Sequence, residues 1–207
     1  MGKGHQEGFT LVELMAVLMV VGIALGMGIP AMSNFAANSQ MAAATTALLA
    51  ALQAARQAAL SSNSPVTLCA SDSWNSAGAA CSEGAPLVAG WIVFRDTNGN
   101  GILDGTEGTG VIGRHGPVAE GIQHNARTKG DAAPPQYVLF DSSGRPQNAG
   151  ARGPALRNIQ LCDPRGAAHA GDGIAAGRWI MLSPAGHPLA FQEYGRVQGP
   201  DNPLHGC

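Results

Sequence analysis

Gly8-Phe9-Thr10-Leu11-Val12-Glu13, followed by LMAVLMVVGIALGMGIPAM from Leu14 to Met32, is the stretch that decides the fold. The nineteen residues from Leu14 to Met32 carry no charge. At about 1.5 Å per residue, such a run is what an α-helix needs to cross the hydrocarbon of a bilayer. One carboxylate, Glu13, stands at its entrance, and the short segment before it, MGKGHQEG, is polar and ends in glycine. A secretory signal would place a basic start before a shorter apolar core and a small-residue cleavage site after it; here the glycine comes before the apolar run. A plain membrane anchor has no use for Glu13, because an ionisable group at the edge of hydrocarbon is costly without a partner.

The helical pattern runs on past the apolar segment. Pro30 removes one backbone hydrogen bond and crowds the preceding turn, so a kink is expected there. Residues Ser33 to Leu60 are rich in alanine and glutamine, both good helix formers. Leu48, Leu52, Ala55 and Ala59 fall at spacings of three and four and form one apolar stripe, which needs a sheet to pack on. Ser61-Ser62-Asn63-Ser64-Pro65 ends the helix through local hydrogen bonds and a proline stop. The first half of this helix is bare and apolar and the second half amphipathic, a division suited to packing against other copies or relatives.

Beyond Pro65 the pattern is of short strands. Val66–Ala70, Gly90–Arg95 and its hairpin partner Gly110–Arg114 are expected, followed by weaker candidates at 122–126, 136–140, 156–162, 178–182 and 189–192. The 29 glycines and 13 prolines fit many turns. The four cysteines, Cys69, Cys81, Cys162 and Cys207, all lie after the anchor and fit two disulfides in an oxidising compartment. Cys69 and Cys81 stand at the base of one loop and are expected to bridge, and Cys207 to tie the tail back to Cys162; the sequence alone leaves the connectivity open. A net charge of −2 gives no overall basic excess for nucleic acid or an acidic membrane surface.

G-F-T-L-V-E before an apolar run resembles the leader and N-terminal helix of type IV pilins and pseudopilins. The head adds to the likeness. Gly90-Trp91-Ile92-Val93-Phe94 with Asp96-Thr97-Asn98-Gly99-Asn100-Gly101 and Glu107, then 158–166 and 179–186, resembles the GspH/FimT group. The resemblance implies cleavage by a prepilin peptidase between Gly8 and Phe9, methylation of Phe9, and pairing of Glu13 with the N-terminal amine of a neighbouring subunit. It also implies an α+β pilin fold: a long N-terminal α-helix, its first half transmembrane, packed against an antiparallel β-sheet head. The expected divisions are a leader at 1–8, a helix at 9–62 (9–32 membrane-spanning, 33–62 amphipathic) and a periplasmic head at 63–207.

Two further motifs carry chemistry. Asp96, Asn98, Asn100, Asp104 and Glu107, with Gly101 at the sixth place, follow the ligand pattern of an EF-hand calcium loop. The flanks read as strands, however, and Asn, Asp and Gly are equally what a hairpin turn selects. No cofactor is therefore assigned, and calcium is kept as the alternative occupant of this loop. Arg145, Arg152, Arg157 and Arg165 crowd one region of sequence and are the candidate DNA contacts. Relatives of the FimT type that bind DNA carry Gly-Arg-x-Arg in the last hairpin; here Gly186-His187-Pro188-Leu189 lacks the arginines. No nucleophile elbow, phosphate loop or redox CxxC is present, so a non-enzymatic subunit is expected. The resemblance implies a minor pilin that assembles into, or primes, a type IV pilus. The alternative is a GspH-type pseudopilin of a type II secretion system, and a further one is a DNA-binding subunit at the pilus tip. Expected partners are other pilins or pseudopilins, the prepilin peptidase, an assembly platform in the inner membrane, and membrane lipid before assembly.

Overall fold

The computed structural model describes residues 8–105, 107, 110–125 and 136–207, without the side chains of 27–31, 125 and 151. The chain divides into two compact units, Met1–Asn38 and Ser39–Cys207. Helix α1, Leu11–Ser62, contributes to both. Thr10 starts it: its Oγ1 accepts the Glu13 backbone N–H at 3.3 Å, the bond an N-cap makes to the third helical residue. The carboxylate of Glu13 lies in the first turn, where the helix dipole favours negative charge. At the other end Asn63 adopts the left-handed conformation (φ 48°) and Ser64 N–H bonds back to Ala59 C=O at 3.3 Å. This is a Schellman-type stop, reinforced by the Ser61 and Ser62 hydroxyls on Ala58 C=O.

In the first unit the helix is apolar and uncovered. Val12, Leu14, Met15, Val17, Leu18, Met19 and Val20 are all exposed. Among the described residues no helix is long and apolar enough to cross a membrane; of the apolar run, the side chains of 27–31 lie outside the described set. The expected kink at Pro30 falls on a side chain outside the described set; the helix assignment is continuous there.

Among the described residues the second unit has ten strands. They are β1 Val66–Ala70, β2 Trp91–Arg95, β3 Val111–His115, β4 Gln123–Asn125, β5 Tyr137–Phe140, β6 Pro146–Gln147, β7 Asn158–Cys162, β8 His169–Gly171, β9 Ile174–Leu182 and β10 Pro188–Glu193. A short helix α2, Tyr194–Val197, follows. The head holds two antiparallel sheets rather than one. The first runs β3-β2-β1-β5-β6, and the second β10-β9-β7-β4 with β8 added on β9. In the first sheet Leu68 stands opposite Val93 on one side and Val138 on the other. In the second, Ile159 stands opposite Ile180.

Period-two alternation sends every other strand residue toward α1. Met41, Ala44, Leu48, Leu52, Ala55 and Ala59 of the helix pack in one cluster with Val66, Leu68, Val93, Val138 and Phe140 of the first sheet and Ile159, Leu161, Ile180 and Leu182 of the second. One helix face thus serves both sheets. The alternate residues form two further clusters: Cys69, Ile92, Phe94, Tyr137 and Leu139 behind the first sheet, and Ala175, Trp179 and Val197 behind the second. Bridges join Cys69 to Cys81 and Cys162 to Cys207.

The strand pattern in sequence misses β6 and β8, two and three residues long, because such lengths carry no readable periodicity. It also starts β9 four residues late. Ile174 to Gly177 contains glycine and alanine, but pairs with β8 and β10. The last residue of the 122–126 candidate lies outside the described residues.

Candidate functional site

The helix entrance is the first candidate. Phe9 is 84% exposed, and Leu11 and Val12 beside Glu13 are each 74% exposed. Glu13 is therefore a carboxylate framed by uncovered apolar side chains, a setting that is costly in lipid without a partner.

The loop after β2 is the second. Asp96 is fully buried. Its Oδ2 accepts the Thr67 hydroxyl at 2.7 Å and the Gly101 N–H at 2.8 Å, and its Oδ1 accepts the Asn100 N–H at 3.1 Å. Asn98 and Asn100 both donate side-chain N–H groups to Asp104 Oδ2, at 3.1 and 2.9 Å, and Glu107 Oε2 accepts the Asp104 backbone N–H at 2.9 Å. The carboxylates are therefore answered by donors of the loop itself and by Thr67 of β1. Among the described residues no group of three or more His, Cys, Asp or Glu side chains is placed to hold a metal ion. The loop is fixed from outside as well: Arg152 Nη1 donates to Gly101 C=O. Gly101 has φ 74°, and a Cβ there would lie 2.9 Å from that of Ala149, so the close approach requires glycine.

The four candidate DNA contacts do not share one role. Arg152 lies over the Tyr137 ring, 5.2 Å from its centroid, and burial lowers its pKa. The Tyr137 hydroxyl donates to Gly153 C=O at 2.5 Å and accepts from Ala149 N–H at 2.8 Å, so Arg152 belongs to a structural clamp. Arg165 pairs with Asp163, Nε to Oδ2 at 2.9 Å. Arg157 is half-buried, with a pKa lowered by burial. Arg145 is exposed on the turn after β5.

Two hollows flank the buried face of the helix. One, about 520 Å³, is lined by Ala47, Ala50, Ala54 and Ala58 of α1 and by Trp91, Ile112 and Arg114 of β2 and β3. The Trp91 and His115 rings stack there, 4.1 Å apart. The second lies on the other side, against β10, lined by Gln53, Arg56, Gln57, His187, Pro188 and Leu189. Nothing in the motif reading pointed to Arg56 or to either hollow; in sequence Arg56 is one polar residue in an alanine-rich helix.

Comparison with known proteins supplies the lineage. The family model described as "Type II transport protein GspH" matches residues 44–186. The chain belongs to the GspH family. A second model, the prokaryotic N-terminal methylation motif, matches residues 3–29, so this GspH-family chain carries both halves of a type IV pilin-like protein, the methylation-motif helix and the head. Its structure is similar to that of the type IV minor pilin FimU of Pseudomonas aeruginosa (strain PAO1) in space group P21, with 18% identity, a TM-score of 0.46, and coverage of 76% of this chain and 96% of that one. The P65 form of FimU gives 17% identity, a TM-score of 0.45, and coverage of 73% and 92%. No curated protein matched the chain at a significant level.

Proposed function

We propose that this GspH-family chain is a minor pilin that assembles into, or primes, a type IV pilus. The observation that carries the reading is the bare helix. From Leu11 to Leu25 its large apolar side chains are exposed, with Glu13 as the lone charge. An apolar surface of that extent suits lipid first and other subunits afterwards.

In this reading residues 1–8 are removed after Gly8, Phe9 becomes the methylated N-terminus, and residues 9–32 hold the chain in the inner membrane with the head in the periplasm. On transfer to the filament, Glu13 pairs with the amine of a neighbouring Phe9. Such a pairing sets register, because an unpaired carboxylate among packed apolar helices is strongly unfavourable. The subunit is non-enzymatic; its working parts are surfaces.

Glu13→Leu is expected to leave membrane insertion and head folding intact and to abolish incorporation into filaments. Immunoblots of sheared pili against membrane fractions read this out, and normal incorporation of the variant would overturn the reading. The second reading, a pseudopilin of a type II secretion system, is favoured by the type II transport family to which the head belongs. A deletion strain separates the two: loss of twitching with secretion intact supports the pilus, and the reverse supports secretion.

A further inference from the structure

We propose that the hollow between the middle of α1 and the β9–β10 turn is a carboxylate-recognition site for a neighbouring subunit, a reading that rests on the assembly function proposed above. Gln53, Arg56 and Gln57 stand three and four residues apart on one helix face and form one wall of a hollow of about 490 Å³; His187, Pro188 and Leu189 form the other. Arg56 is half-buried, and its Nε donates to Gly144 C=O at 3.2 Å. That bond holds the guanidinium, while its two terminal nitrogens have no hydrogen-bond or ion-pair partner among the described residues.

Two turns are shaped around this arginine. Gly144 (φ 71°) and Gly186 (φ 82°) both take the left-handed conformation. A Cβ on Gly186 would run into the Gly144 carbonyl and lie 3.1 Å from Arg56 Nε, and one on Gly144 would lie 3.1 Å from Leu60 Cγ and 3.3 Å from Arg56 Cγ. Glycine at both positions lets the two turns meet beside Leu60 and the stem of Arg56.

The chemistry of the hollow is specific. With Nε engaged, the end-on edge of the guanidinium, one N–H from each terminal nitrogen, matches a carboxylate in bidentate geometry, and the exposed Gln53 and Gln57 carboxamides add donors beside it. Pro188 and Leu189, the latter 44% exposed, give an apolar rim. An arginine set beside apolar side chains is the composition of a protein–protein contact centre.

The Arg56 charge has no ion-pair partner among the described residues. Asp141, on the same turn as Gly144, has its carboxylate engaged by Ser143, Arg145 and Gln147. A phosphate backbone is tracked by several cations in a row, whereas Arg152 and Arg165 are engaged elsewhere and the net charge is −2. One fork and one imidazole, that of His187, suit a single Asp or Glu side chain on an acidic, partly apolar segment of the next subunit.

The test uses the full chain in cells that assemble it. A photo-crosslinking residue is placed at Gln57 and, in a separate strain, at Leu18 in the bare helix. The expected result is a Gln57 adduct with another pilin subunit, mapped by mass spectrometry to a peptide containing Asp or Glu. Arg56→Gln, which keeps a donor for Gly144 C=O but no charge, lowers its yield roughly tenfold, as loss of a charge-assisted contact would. Gln53→Glu, which places a carboxylate in the hollow from the chain itself, lowers it similarly, and Gln53→Ala does not; head folding of each variant is checked by thermal unfolding. A Leu18 adduct without any Gln57 adduct, a Gln57 adduct indifferent to both charge variants, or one formed with nucleic acid overturns the proposal while leaving assembly intact. Loss of the Leu18 adduct as well in the unmutated head overturns the assembly reading and this site together.

Discussion

Asp96 shows how much of a loop one side chain can organise. Its buried carboxylate answers a hydroxyl and two backbone N–H groups at once, so Asp96→Ala leaves the Thr67 hydroxyl and the Gly101 N–H buried without this acceptor, while Asn100 N–H keeps Asn98 Oδ1. The expected cost is about 2–4 kcal/mol in thermal or denaturant unfolding of the chain. Millimolar calcium is expected to leave the unfolding temperature unchanged, since the loop is closed by its own hydrogen bonds; a rise would restore the metal reading. The spacing of Asp96, Asn98, Asn100, Asp104 and Glu107 was legible in sequence, but the direction of their bonds was not. That direction depends on Thr67 and Arg152, which are distant in the chain. His124 on β4 is a second case. Burial lowers its pKa from 6.5 to about 4, and its Nε2 is buried without a hydrogen-bond partner. The unfolded chain therefore binds a proton near pH 6.5 that the folded chain refuses until about pH 4. Stability should fall as pH drops through that window, by up to about 1.4 kcal/mol per pH unit. His124→Gln is expected to flatten this slope in unfolding curves measured across the same range.

At the scale of elements, α1 was the most legible part of the chain. Its length, its stop and the stripe of Leu48, Leu52, Ala55 and Ala59 follow from spacing alone, and each of those four side chains is at most 2% exposed. Leu52→Ala should cost about 2–5 kcal/mol, because a fully buried leucine in contact with packed strands leaves a cavity; the unfolding midpoint checks it. Strands β1, β2, β5 and β7 were legible for the same reason, being apolar runs bounded by turn residues. The partition of the strands between two sheets was not legible, because alternation says which residues face inward but not which neighbour a strand takes. The hollow at Arg56 was also hidden, since it depends on two turns, around Gly144 and Gly186, meeting one helix residue.

For the whole molecule, the tail is part of the second sheet's packing. Asn202 is fully buried, donating to Gln160 Oε1 and Val197 C=O, each at 2.7 Å, and Cys207 bridges to Cys162. A Cβ on Gly177 would run into Cys207 Sγ and stand 2.8 Å from Leu161 C=O. Replacing both Cys162 and Cys207 by serine is expected to cost about 3–4 kcal/mol, the range for closing a loop of this size, and to open Trp179 to quenching in fluorescence measurements. Family membership follows from the matched head and the methylation motif together; the choice between pilus and secretion depends on surfaces that residue pattern does not specify.

The continuity of α1 has a mechanical meaning. Tension on the chain at Ser39 reaches the head through the backbone of α1. There the load falls on a face held by both sheets at once, from Met41 to Ala59. Side-chain contacts spread along that face must slip together under such a pull, rather than opening one at a time. The head is thus gripped by its own handle in shear, and weakening Leu52 should lower the force at which the handle slides free.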